Sequence, residues 1–213
     1  LGDVYKRQDE GQFDGYLKRY GTFAGTGITS FRMPSNLQYI APETFRNCEQ
    51  LKTFYIGKAF RGKINYGEEG DPDTLFLYYA PIRLIQIDKE NTSYQLQNEI
   101  LYTRDGHILC QALKNDNADS QLTIPSCVTE IADGAFYRNS EFGAIEVKGS
   151  LERIGISTFA CADVGSFYVK GGVNYLDRGS FYQSAISEWR CHGGVKKYEK
   201  SAFQDLSLIH ISE

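Results

Sequence analysis

The sequence has no apolar run near the roughly 20 residues that a membrane-spanning helix needs. It also lacks a surplus of positive charge. Its 23 Lys and Arg stand against 27 Asp and Glu, a net charge of −4. Chain-wide nucleic-acid binding is therefore disfavoured, because phosphate recognition ordinarily rests on a basic excess. Proline occurs only five times, and no stretch is rich enough in Pro or Ser to act as a linker dividing the chain. The five cysteines form an odd set without a C-x-x-C pair, whereas a structural zinc site needs close paired ligands. What the chain has in quantity is apolar side chain, 41%, with 14% aromatic. That is enough to bury a core and excludes disorder for most of the chain.

The aromatic residues are regularly spaced. Val128-x-x-Ile131-x-x-x-x-Phe136 recurs as Leu151-x-x-Ile154-x-x-x-x-Phe159, as Val173-x-x-Leu176-x-x-x-x-Phe181 and as Val195-x-x-Tyr198-x-x-x-x-Phe203. Leu37-x-x-Ile40-x-x-x-x-Phe45 has the same form, and Phe23 precedes Phe45 by one period. Each Phe follows a small residue or Thr: Thr22, Thr44, Ala135, Thr158, Ser180 and Ala202. A second apolar triple follows each Phe, as in Leu51/Phe54/Ile56, Phe142/Ile145/Val147, Val164/Phe167/Val169 and Ile186/Trp189/Cys191. The last pair of each triple alternates at period two, the mark of a half-buried strand.

One such unit cannot bury its own apolar stripe, whereas stacked units close a continuous core. The spacing therefore predicts a solenoid of short parallel strands. Its opposite wall carries the Ile/Phe half of each unit, expected as a short helical or 3₁₀ turn because it is too short for an independent helix. The middle departs from the period. Residues 57–75 carry extra length, and the acid-rich part, Gly67-Glu-Glu-Gly-Asp-Pro-Asp73, is expected as an exposed loop. A β-hairpin is expected over residues 99–112, turning at Asp105-Gly106 in type I′ geometry.

The string Leu-x-x-Ile-x-x-x-x-Phe-x-x-Cys-x-x-Leu-x-x-Phe-x-Ile at residues 37–56 resembles the BspA-type leucine-rich repeat. Leu122-Thr-Ile-Pro-Ser-Cys-Val-Thr-Glu-Ile-Ala-Asp-Gly-Ala-Phe136 and the Ile100-Leu-Tyr-Thr-Arg-Asp-Gly-His-Ile-Leu109 hairpin are similar to the same family. The resemblance covers about residues 20–206. It implies a leucine-rich-repeat solenoid from surface or secreted proteins of gut and oral bacteria and some protozoa. The implied roles are adhesion and protein binding, with host extracellular-matrix or surface proteins as partners, no cofactor and no shared catalytic residue.

Residues 1–8 and 207–213 carry no evident repeat. Both resemble translated sequencing-adapter read-through at the ends of metagenomic fragments, with ordinary terminal extensions as the alternative. The solenoid is accordingly expected over residues 9–206.

Chemistry-bearing residues are sparse. Cys48 and Cys161, close behind repeat Phe residues, are expected as buried free thiols, and a disulfide from Cys127 to a neighbouring coil stays open. Cys191-His192 cannot act as a nucleophile–base pair on a strand, where adjacent side chains point to opposite faces. Glu68, Glu69, Asp71 and Asp73 could bind calcium, with a solvated acidic loop as the competing reading. Asn91-Thr-Ser93 is a formal glycosylation sequon.

The outward positions of the strands are Arg32, Thr53, Tyr55, Gln86, Thr123, Glu146, Lys148, Tyr168, Lys170, Glu188, Arg190 and His192. Of these, Tyr55, Glu146, Lys148, Tyr168, Lys170, Glu188, Arg190 and His192 form the candidate protein-binding face, since Tyr and Arg are enriched at binding hot spots. A merely solvated face is the competing reading. The expected function is a non-enzymatic protein-binding or adhesion module, with a structural spacer presenting a neighbouring domain as the alternative.

Overall fold

The computed structural model describes residues 21–66, 74–75, 77, 80–113, 120–139 and 142–212. Residues 1–8, the acid-rich 67–73 with its calcium candidates, and Phe76 lie outside them. The chain forms two compact units, Leu1–Thr92 and Ser93–Glu213, each taken by itself below.

In the first unit, β1 (Ser30–Arg32), β2 (Thr53–Ile56) and β5 (Leu84–Ile87) pair in parallel. Their inward residues, with Phe45, Leu51, Phe60, Ile64 and Ile82, make the core. β3 (Lys63–Ile64) and β4 (Thr74–Leu75) form a second, two-residue parallel pair. The described part of the irregular region is thus not simply an exposed loop: Phe60, Ile64 and Asn65 are fully buried. Asn91 of the sequon is also buried. Its Nδ2 donates to the Gly57 and Phe60 carbonyls at 2.8 and 3.2 Å, which holds this turn and leaves no room for a glycan.

The second unit has two sheets. Along one wall run β9 (Ser120–Ile124), β11 (Phe142–Val147), β13 (Asp163–Val169), β15 (Ala185–Cys191) and β17 (Ser207–Ser212), all parallel. The other wall holds β6 (Tyr94–Gln97), β7 (Ile100–Thr103) and β8 (Ile108–Ala112) as an antiparallel meander. It continues in parallel through β10 (Glu130–Ile131), β12 (Leu151–Ile154), β14 (Val173–Leu176) and β16 (Val195–Tyr198). The apolar residues of both walls and the repeat Phe residues meet in one core. β17 is made of residues that show no evident repeat in sequence, yet it extends the ladder in register with β15.

Two expectations are corrected here. The hairpin turn is not type I′. Gly106 alone has positive φ, +77°, and its N–H donates to the Thr103 carbonyl at 2.9 Å, with a bulge in the β7–β8 register. The connecting loop is the four residues from Arg104 to His107, with a left-handed Gly at its third position. The two-residue loop with both central φ positive lies one hairpin earlier, at Asn98 and Glu99.

Nor do helical turns cover the opposite wall among the described residues. The Leu-x-x-Ile segments are strands, and the Phe segments are hydrogen-bonded turns whose amides alternate in direction. Phe159 and Cys161 donate to the next coil, to the Ser180 and Tyr182 carbonyls at 2.7 and 2.8 Å. Ala160 and Ala162 instead turn back to Ser157 and Phe159 of their own coil. A 3₁₀ helix would need every amide to turn back. The alternation is enforced by a left-handed residue two after each Phe: Asn47, Arg138, Cys161, Gln183 and Asp205, all between +50° and +57°. That position is outward, so Cys161 is exposed rather than buried.

The next position, three after the Phe, is the buried one. It holds Cys48, Ala162 and Ser184, and in one coil Asn139. Neither Oδ1 nor Nδ2 of Asn139 has a hydrogen-bond partner. An orphaned buried amide is costly, so Asn139→Ala, which copies Ala162, should raise stability by about 1 kcal/mol. A higher urea midpoint at unchanged slope is the expected readout.

Candidate protein-interaction face

Strand alternation sends Val147, Val169 and Cys191 toward the core and puts the intervening residues outside. The parallel register then aligns them across coils. Ala144, Ser166 and Glu188 form one row, and Thr123, Glu146, Tyr168 and Arg190 the next. Lys148, Lys170 and His192 follow just past the buried strand ends. Seven of the eight candidate residues thus share one face of the second unit. Tyr55 does not: it lies on β2 of the first unit.

On the shared face, Lys148 Nζ donates to Glu146 Oε2 at 2.5 Å, and Arg190 Nε donates to Glu188 Oε1 at 2.8 Å. Both are exposed pairs, worth little to stability. A shallow groove of about 310 Å³ is lined by Ser166, Tyr168, Glu188, Arg190, Cys191 and His192, with Phe167 beneath. Cys191 Sγ donates to the Gly194 carbonyl at 3.2 Å rather than meeting His192, and burial pushes its thiol pKa up. A thiol held protonated is a poor nucleophile.

Tyr55 has its own setting. The Arg32 guanidinium lies 3.9 Å from the centre of its ring, and its hydroxyl donates to Asp88 Oδ2 at 2.8 Å. That bond raises the tyrosine pKa, while the Glu90 N–H and the Tyr55 hydroxyl lower that of Asp88.

The sequence reading missed the opposite sheet. There the register aligns Glu130, Arg153, Tyr175 and Lys197. Tyr175 donates to Glu199 Oε1 at 2.6 Å, which pushes its pKa up to about 12, and Lys197 sits over its ring. The missed signal was a polar residue recurring at the third position of every Leu-x-x-Ile segment. These groups are largely engaged with each other, whereas on the first face Tyr168, Lys170 and His192 have no side-chain partner among the described residues.

Among the described residues, no group of three or more His, Cys, Asp or Glu is placed to hold a metal ion, all five cysteines are free, and no helix is long and apolar enough to cross a membrane.

Known proteins share this architecture. A family model described as BspA type Leucine rich repeat region matches residues 19–66 and 106–211, in six copies. The fold is similar to that of the pneumococcal vaccine antigen PcpA, with a TM-score of 0.68 and 19% identity, over 85% of this chain and 49% of that one. It is also similar to a leucine-rich cell surface protein of Faecalibacterium prausnitzii A2-165, with a TM-score of 0.50 and 15% identity, over 87% and 60% of the two chains. The chain thus spans less than two thirds of either neighbour. No curated protein matches it.

Proposed function

The chain belongs to the BspA-type leucine-rich repeat family, and from that premise we propose that it is a non-enzymatic protein-binding module of a surface or secreted protein, acting in adhesion. The observation that carries this is the row structure of the β11–β13–β15 face. The ladder aligns Tyr168 with Arg190, these two line a shallow groove together with His192, and Lys170 follows Tyr168 on the same face; open sheet faces are where solenoids bind partners. Surface location is supported by the similarity to the Faecalibacterium cell surface protein. Host extracellular-matrix proteins are the first partners to test.

The test is joint charge reversal of Lys148, Lys170 and Arg190 to Glu. Binding to a captured matrix protein should weaken by about tenfold or more, because three reversed charges destroy the charge complementarity of the face. The melting temperature should stay nearly constant, because the two native ion pairs removed are exposed. Equal binding by the variant would remove this face from consideration.

A further inference from the structure

Lys148, Lys170 and His192 each stand one residue past the last inward strand position, Val147, Val169 and the half-buried Cys191. Their amides extend the ladder, donating to the Ile124, Val147 and Val169 carbonyls at 3.0, 2.9 and 3.0 Å. The three exposed side chains therefore recur coil after coil at about the 4.8 Å strand spacing. The row holds no acidic residue. Of the nearby acids, Glu146 is engaged by Lys148 of the row itself and Glu188 by Arg190, whereas Lys170 forms no ion pair among the described residues. Beyond the row lies a strip without side chains, Gly149, Gly171 and Gly193, stacked through Gly171 N–H to Gly149 O and Gly193 N–H to Gly171 O. Those glycines put no side chain between a ligand and the row. Around the row Lys148, Lys170 and Arg190 outnumber Glu146 and Glu188, on a chain of net charge −4.

We propose that the partner of this face presents an acidic polypeptide segment, laid across the strands along the Lys148–Lys170–His192 row. The proposal rests on the protein-binding reading above and gives that partner its chemistry. A segment lying along β11 or β15 would meet a single row residue and a glutamate, Glu146 or Glu188. A segment crossing the strands meets Lys148, then Lys170, and at β15 the His192 imidazole, where it passes the groove with the Arg190 guanidinium and the Tyr168 ring. The sheet amides are spent in the ladder, so recognition falls to side-chain charge and must be sensitive to salt.

The probe is a fluorescein-labelled decaglutamate peptide, followed by anisotropy at about 50 mM and about 200 mM salt, either side of the physiological Debye length. Binding at low salt, several-fold weaker at high salt, is expected. It should fall by about tenfold or more in the triple variant Lys148→Gln, Lys170→Gln, His192→Gln, with an unchanged melting temperature. No decaglutamate binding at low salt, or equal binding by the variant, overturns the proposal. Row-dependent binding of heparin without decaglutamate overturns it in favour of a sulfated glycan. A captured protein partner that ignores both salt and the triple variant, yet is lost on Tyr168→Ala, also overturns it while leaving the protein-binding reading standing.

Discussion

Arg153→Met is expected to lower the stability of the second unit by about 3 kcal/mol, most of it at neutral pH. Arg153 lies on β12 and ties three coils together. Nη1 donates to Glu130 Oε1 at 2.8 Å, and Nη2 to Asp133 Oδ1 at 2.5 Å and Asp177 Oδ2 at 3.0 Å. Asp133 is the most enclosed partner, with its side chain 8% exposed, and its Oδ1 also accepts the Ile156 N–H at 2.8 Å. Gly155 makes room for it, since a Cβ there would lie 2.3 Å from Oδ1. Met keeps the aliphatic stem, so the variant isolates the charge. It leaves carboxylates with no counterion in a largely buried site, the costly half of a broken ion pair.

The pH dependence follows from Asp133. Burial holds its carboxyl above the ordinary carboxylate range, outweighing the Arg153 charge. For Arg153 itself, burial acts to lower the pKa, but the Asp133 and Glu130 charges win and raise it. An acid whose pKa folding raises stabilises the fold below its unfolded value and loses that contribution as pH climbs through its folded value. Arg153 limits this loss at neutral pH. Without it the Asp133 pKa rises further, so the deficit of the variant should shrink by about 1 kcal/mol or more from about pH 7 to about pH 4. Urea unfolding at the two pH values measures this. An equal deficit at both would assign the loss to packing around the stem.

The same residues show what was legible beforehand. The Phe spacing could be read because a stacked ring must occupy an identical place in every coil. The outward face of β11, β13 and β15 followed from period two alone. The Arg153 sheet did not, because Leu-x-x-Ile has the spacing of a helical turn. In four residues that spacing is ambiguous, and the bonds that make it a strand come from the coils above and below. The left-handed position two after each Phe was equally hidden. Arg138, Cys161, Gln183 and Asp205 share no side-chain chemistry that marks the position, and the inter-coil bonds made by the first three amides belong to the stack rather than to the local sequence. The strand at 207–212 had a trace in Leu208 and Ile211, five and eight after Phe203, the offsets of Ile186 and Trp189 from Phe181.

Phe159→Ala should be the most damaging single core truncation on the turn wall, at about 3–5 kcal/mol. Phe159 is 1% exposed and sits in a ladder of parallel rings: Phe136 at 4.8 Å, Phe181 at 5.0 Å, and Phe203 a further 5.6 Å beyond Phe181. The separations track the strand spacing because each ring holds the same place in its coil. Phe167 from the opposite sheet meets the Phe159 ring edge-on at 5.0 Å. Truncation opens a ring-sized void that the hydrogen-bonded turns on either side cannot close. In a stack whose stability is a sum of neighbour terms, an interior ring counts twice, since it serves the coil before and the coil after. Phe203, stacked on Phe181 alone among the turn-wall Phe rings, is only partly buried, so Phe203→Ala should cost about half as much. Phe159→Leu, which keeps most of the volume, should cost about 1.5 kcal/mol. The ordering of the three variants in urea unfolding is the test: if Phe203→Ala matched Phe159→Ala, the ladder would not be coupled from neighbour to neighbour.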